Sequence, residues 1–405
     1  MKREAVSLLG LAALLFALVF PALTAKPNRA AEGVSVSLWT TPTPEIAVVG
    51  LLLVAAIVAA MVLTLVPSRR RLGALRLSVS VAFIPLLLAL LGIGSAVALE
   101  RSGFDAGRTG PGLGWWLGAL GAYVLFYDAR RRLARNGGAT ASASGSADHG
   151  AVLVRLATPV VLLATVAVFL LVPFDGIGVV QEFLNRGERF WGELGAHLVL
   201  SGASVAGAVV IGVPLGMWAF RSKRAVRPVF TVTSGLQTIP SLALFGLMIA
   251  PLAFLSREIP ALRAIGIRGV GNAPAIIALT LYGLLPVVRN TFVGLKSIDP
   301  GIVEAGRGMG MSRGELLRMV QIPIALPIIL TGLRITAVQT VGNAAVAALI
   351  GARGLGNFVF QGLGQAAPDL IVLGALPIVA LAVIVDRGMD MLIRALQPGP
   401  EEERS

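Results

Sequence analysis

The sequence predicts an all-α polytopic membrane protein with about ten transmembrane helices. Of its 405 residues, 56% are hydrophobic and 14% charged, against roughly a quarter charged in an ordinary soluble domain. Uncharged runs of 17 or more residues recur along nearly the whole chain, and each is long enough to cross a hydrocarbon core of about 30 Å as a helix. The charges gather between those runs.

Apolar runs and their flanking charges place spans at 5–25, 45–66, 74–99, 112–128, 152–173, 194–220, 228–255, 273–294, 323–350 and 370–392. Lys2 and Arg3 give the first run a signal-like start, but Leu23-Thr24-Ala25 lacks a small-x-small cleavage site, so the run is read as an uncleaved anchor. With the N-terminus inside, 22 of the 34 basic residues fall on the cytoplasmic side and ten on the other. Positive charge is retained on the cytoplasmic face during insertion, so both termini are expected there. The net charge of +13 then reports membrane orientation, with membrane lipid as the surroundings and no nucleic-acid partner.

Residues 136–150 (NGGATASASGSADHG) have the composition of a flexible cytoplasmic linker. The linker divides a four-span region, 1–135, from an additional span with an external segment, 151–193. A core at 194–395 and a tail at 396–405 follow.

The chain contains no cysteine and two histidines, His149 and His197. Disulfides, iron–sulfur clusters and thiolate zinc are therefore excluded, and no metal site is expected. His197 reads as an interfacial residue. No paired acids, serine–histidine arrangement or HExxH motif is present, so no catalytic residue is assigned and the chain is not read as an enzyme. No carboxylate falls near the centre of an expected span, which argues against a proton-coupled carrier. A passive osmotic channel stays open as a reading from another class.

The connection between the eighth and ninth spans is long. Asp299 is a good N-cap with Pro300 at the first helical position, so a short helix begins there. Ser312 and Glu315 form an S-x-x-E capping box, which starts a second short helix running to Pro323. Gly310 permits a tight turn between the two. The nearest approach to a phosphate loop, Gly294-Leu295-Lys296-Ser297, lacks the adjacent Gly-Lys, so any ATPase is a separate polypeptide. Gly306, Gly308 and Gly310 fail as a dinucleotide fingerprint, having no strand before them.

Within the spans the notable positions are Gln237, Pro240, Ser241, Arg334, Gln339 and Asn343. A charge near a span centre costs about 2.5–3.5 kcal/mol on insertion scales, so Arg334 faces protein or water. Gln339 and Asn343 are four apart and share a helix face. Two explanations fit this set equally: a translocation pathway, or hydrogen bonding between helices. Gly212-Val-Pro-Leu-Gly216 reads as a site of close helix packing.

Glu304-Ala305-Gly306, three residues, Gly310, nine residues and then Val320-Gln321-Ile322-Pro323 resemble the EAA loop of ABC importer permeases. Gly306 stands where that pattern has a second alanine. The flanks QTIPSLALFGL (237–247), ALTLYGLLPVVRNTFVGLKSIDP (278–300) and AALIGARGLGNFVFQGL (347–363) resemble the betaine/choline, or osmoprotectant, permeases. The resemblance covers about 190–395, and the first four spans match an N-terminally extended minority of that family.

The resemblance implies a type I ABC importer permease fold for the C-terminal part. It makes 296–322 the coupling loop, with Glu304, Ala305, Gly306, Gly310 and Pro323 coupling to the ATPase. It also implies an ATP-binding cassette subunit that carries ATP and Mg, an external solute-binding protein and a second permease subunit in a homo- or heterodimer. No cofactor is expected on this chain. The cargo implied is glycine betaine, choline or a related compatible solute; another small solute, such as an amino acid, is the alternative. Trp191, Trp218 and Tyr282 lie far apart in the resembling region, so no cage for a quaternary ammonium is expected and selectivity is assigned to the binding protein.

Overall fold

The computed structural model describes residues 5–29, 31–39, 42–65, 70–104, 107–138, 160–161, 163–264 and 266–396. Of the expected linker 136–150, residues 136–138 are helical and 139–150 lie outside the described residues, as do the start of the expected fifth span and 397–405 of the expected tail. The chain divides into two compact units, Met1–Asn185 and Arg186–Ser405. Among the described residues, seven helices are long and apolar enough to cross a membrane. They correspond to seven of the ten expected spans. The others are a shorter apolar first helix, a fourth helix with a charged end, and 152–173, which is described only in part.

In the first unit, α1 (Ala5–Val19), α2 (Pro44–Leu65), α3 (Arg70–Ser102) and α4 (Leu113–Gly138) pack around buried Leu14, Leu53 and Phe83. The helix α4 runs ten residues past the expected span end at 128. Asp128 is therefore interior to it, accepting hydrogen bonds from Ser7 and from Arg132 one turn on.

A small antiparallel sheet departs from the all-helical expectation. Leu23–Lys26 pairs with Val34–Val36 on one side and Arg108–Pro111 on the other. Strands of three and four residues are too short to show a period-two pattern in sequence. Below them the short helix α5 (Gly178–Asn185) supplies Glu182, whose side chain is fully buried. Arg29 (Nη2 to Oε2, 2.6 Å) and Arg108 (Nη1 to Oε1, 2.9 Å) neutralise it. Two guanidinium groups on one carboxylate satisfy a charge that would otherwise be costly to bury.

The second unit holds α6 (Gly187–Arg221), α7 (Lys223–Thr238), α8 (Ser241–Glu258), α9 (Asn272–Lys296), α10 (Pro300–Gly308), α11 (Ile322–Ala344), α12 (Gly356–Gly364) and α13 (Pro368–Leu396). Helix α9 is central and packs on α6, α7, α8 and α11. Its buried Ala275, Ala278 and Leu279 join Leu200, Leu244, Phe245 and Ala344 in one core.

Two expected spans are interrupted. The run 228–255 is two helices, because the residue before a proline is driven from helical to extended backbone. Ile239 accordingly has ψ 126° and Pro240 ψ 138°. Helix α7 buries only Ala225, Val229 and Thr233, one stripe at four-residue spacing. The run 323–350 stops being α-helical at Ala344; Val346–Ile350 is a 3₁₀ turn closed by Gly351 in the left-handed region at φ 80°.

Candidate functional site

The loop after α9 begins as its residues dictate. The Asp299 side chain accepts a hydrogen bond from the Gly301 N–H at 2.7 Å and caps α10, with Pro300 in the first turn. The helix closes in a Schellman arrangement: Gly310 N–H donates to Arg307 O (2.9 Å) and Met311 N–H to Gly306 O (3.1 Å). That closure needs a left-handed residue, and Gly310 supplies it at φ 84°. Gly306 is buried, and a Cβ there would lie 2.6 Å from Leu316 Cδ1. The glycine thus lets α10 fold down onto Leu316, which is itself buried.

The capping box is complete, with Ser312 N–H donating to Glu315 Oε2 (2.8 Å) and Glu315 N–H to Ser312 Oγ (3.3 Å). The expectation of a separate second helix is corrected. Arg313–Glu315 passes through a π-helical stretch, Leu316–Gln321, directly into α11. Pro323 has no N–H for the regular ladder, and widening the preceding turn accommodates that gap. The capped turn is therefore rigidly continuous with a membrane helix. Glu304 and Ala305 are exposed on α10, and Pro323 is exposed in the first turn of α11.

The intramembrane positions do not form one group. Gln237 Nε2–H donates to the backbone oxygen of Tyr282 at 2.9 Å, and the Tyr282 hydroxyl donates to Ile239 O. These two bonds bracket the break at Ile239–Pro240, with exposed Pro240 and half-buried Ser241 opening α8. Arg334 is engaged by α13: Nε donates to Asp386 at 2.6 Å and Nη1 to Asp390 at 2.8 Å. Five residues along a helix turn about 140°, so Gln339 points away from Arg334. Gln339 and Asn343 are half-buried, and neither amide has a hydrogen-bond partner among the described residues.

Sequence reasoning missed the partners of Arg334, which lie 52 and 56 residues away. It also missed Glu193, buried on α6, whose Oε2 accepts from Gly354 N–H (2.7 Å) and Asn357 Nδ2 (3.0 Å). His197, one turn further, is fully buried rather than interfacial, with Nε2 3.1 Å from Val341 O. The aromatic residues are dispersed. Trp191 and Trp218 are 61% and 54% exposed near opposite ends of α6, about 40 Å apart along its axis, while the Tyr282 hydroxyl is taken by Ile239.

Residues 208–398 match the family described as the binding-protein-dependent transport system inner membrane component, and residues 2–172 match the N-terminal domain of the ABC transporter permease YehY. The carnitine transport permease protein OpuCB of Listeria monocytogenes is 40% identical over 220 residues, which are 54% of this chain and 94% of that protein. The chain belongs to this family of ABC importer permeases. Two further relatives agree. The osmoprotectant import permease protein OsmW of Salmonella typhimurium is 44% identical over 50% of this chain and 89% of its own length. The glycine betaine/carnitine/choline transport system permease protein OpuCB of Bacillus subtilis is 38% identical over 53% and 91%. Family membership makes the chain a multi-pass transport subunit with an N-terminal extension before the shared permease region.

Proposed function

We propose that this chain is the membrane-spanning subunit of an ATP-driven importer for glycine betaine, choline, carnitine or a closely related solute. The observation that carries the reading is the identity of 38–44% across about nine-tenths of relatives named for carnitine, osmoprotectant and glycine betaine/carnitine/choline transport. ATP and Mg bind a separate ATP-binding cassette subunit, an external binding protein delivers the solute, and a second permease subunit completes the pathway. The protein lies in the cell inner membrane with both termini in the cytoplasm. Residues 194–395 form the transport core.

Coupling runs through 296–322. Helix α10 and its C-cap expose Ile302, Ala305 and Met309 at spacings of three and four, on one side. That face enters the ATPase, and the unbroken path from the capping box into α11 carries the displacement to the membrane. Gly310 and Gly306 set the loop's shape, and Glu304 is its charged contact. The unpartnered amides Gln339 and Asn343 offer the solute hydrogen bonds, while Gln237, Pro240 and Ser241 shape the break beside α9. The dispersed aromatic rings support assigning selectivity to the binding protein.

ATP-dependent uptake in proteoliposomes containing permease, ATPase and binding protein tests the reading, comparing labelled betaine, choline, proline and methionine. Uptake of betaine or choline that requires all three components is expected. Methionine uptake without betaine or choline would overturn the cargo, and betaine flux without the ATPase would favour a channel.

A further inference from the structure

Beneath the coupling loop lies a groove of about 660 Å³, formed where α6 and α9 end and α10 folds back. Its rim carries Arg221, Lys296, Arg307 and Arg313 against the single acid Glu304. None of these five makes an ion pair among the described residues; Lys296 has only the Phe292 ring, 5.7 Å from its Nζ. The groove floor carries Phe220 and the buried Leu295 and Leu316, with the buried Gln321 beside them.

We infer that this groove is a binding site for one anionic phospholipid, its phosphate on the basic rim and an acyl chain along the floor. Three features select that occupant. Arg221 and Lys296 are the last residues of two membrane-spanning helices, which places the rim at the level where headgroup phosphates lie. Helix C-termini carry partial negative charge and hold cations in place, so these two positions stay occupied by positive charge without a protein counter-ion. A phospholipid carries both parts in one molecule, a phosphate for the rim and an acyl chain for the floor, and it is present at the depth these helix ends define.

The two sides of α10 keep this site apart from the ATPase. Val303, Glu304 and Arg307 face the groove, while Ile302, Ala305 and Met309 face outward. A lipid here fills the space between the coupling helix and the membrane helices it must move, so the anionic content of the membrane sets how firmly the loop is seated.

The test is native mass spectrometry of the full chain in mild detergent, titrated with phosphatidylglycerol or phosphatidylcholine. One phosphatidylglycerol should be retained in preference to phosphatidylcholine. Each basic side chain near a membrane surface contributes about fivefold in affinity, so Arg221→Gln with Lys296→Gln should lower retention about 25-fold. Should that pair fail to fold, Arg307→Gln with Arg313→Gln, in the loop itself, carries the same expected loss. Glu304→Gln removes the only acid and should raise retention, a direction that general damage would not produce. Arg257→Gln with Arg263→Gln, outside the groove, should change nothing. Equal retention of the two lipids, or no loss in either basic pair, would overturn the site. Displacement of the lipid by millimolar inorganic phosphate would make the ligand free phosphate. Its expulsion by one equivalent of ATPase subunit would assign the groove to that protein.

Discussion

Replacing Gly216 by alanine tests whether the contact between α6 and α9 depends on the missing side chain. A Cβ at Gly216 would lie 2.6 Å from Thr291 Cβ and 2.8 Å from the backbone oxygen of Val288, where real Cβ contacts essentially never fall below 3.0 Å. The Val288 oxygen belongs to a helix backbone and cannot rotate away, so the two helices must separate. Gly202 lies on the same helix with nothing within 4 Å of its added Cβ. Both substitutions gain the same helix propensity, about 1 kcal/mol, so their difference isolates the contact. Overpacking of this kind costs about 1–3 kcal/mol, or about 2–12 °C at roughly 2–4 °C per kcal/mol for a unit of this size. The assay is thermal unfolding of the purified chain in one detergent. Gly202→Ala should melt above the native protein and Gly216→Ala below Gly202→Ala by that margin. If Gly216→Ala melts at or above Gly202→Ala, close approach is not what the glycine provides.

Gly310→Ala forces an alanine into the left-handed region at about 1–2 kcal/mol, so uptake driven by ATP should fall while membrane insertion is kept, and Gly310→Asn, which tolerates that conformation better, should recover part of it. Ser312→Ala removes one arm of the capping box at about 1 kcal/mol; hydrogen exchange at the Glu315 amide should quicken while the amides of α13 are unchanged. Because the chain has no native cysteine, Met309→Cys and Ala264→Cys, both at exposed positions, should each react with a membrane-impermeant thiol reagent from one side only, and from opposite sides; reaction from the same side would refute the orientation.

What was legible in the sequence was what is local. Asp299 with Pro300, and Ser312 with Glu315, make their contacts within three residues, so spacing alone identifies them. The interrupted spans were harder. Pro240 was visible, but hydropathy averaged over 228–255 conceals a two-residue break, and α7 buries only a narrow stripe. The sequence says only that Arg334 faces protein or water, and not which element meets it, since Asp386 and Asp390 come near only once α11 and α13 pack. Arg334 and Gln339 are five apart and point in different directions, which spacing alone shows only once the stretch is known to be regular helix. The buried acids Glu182 and Glu193 were invisible because no pattern in sequence marks which surface glutamate will be covered by a distant loop.

The pair of crossed bonds at Ile239 and Tyr282 has a mechanical meaning. A proline break in a membrane helix normally makes a free joint, since carbonyls lose their partners and the two halves can swing. Here the loosened oxygen of Ile239 is held by a tyrosine of α9, and a glutamine from the other half reaches back to that tyrosine's own backbone. The joint is pinned to its neighbour at a single residue. Helix α9 runs on from that pin to Lys296 and, three residues later, the cap of α10. The stretch from Tyr282 to Lys296 is about 21 Å long and carries Pro286 within it, whose missing N–H leaves the Tyr282 oxygen to accept from Gln237.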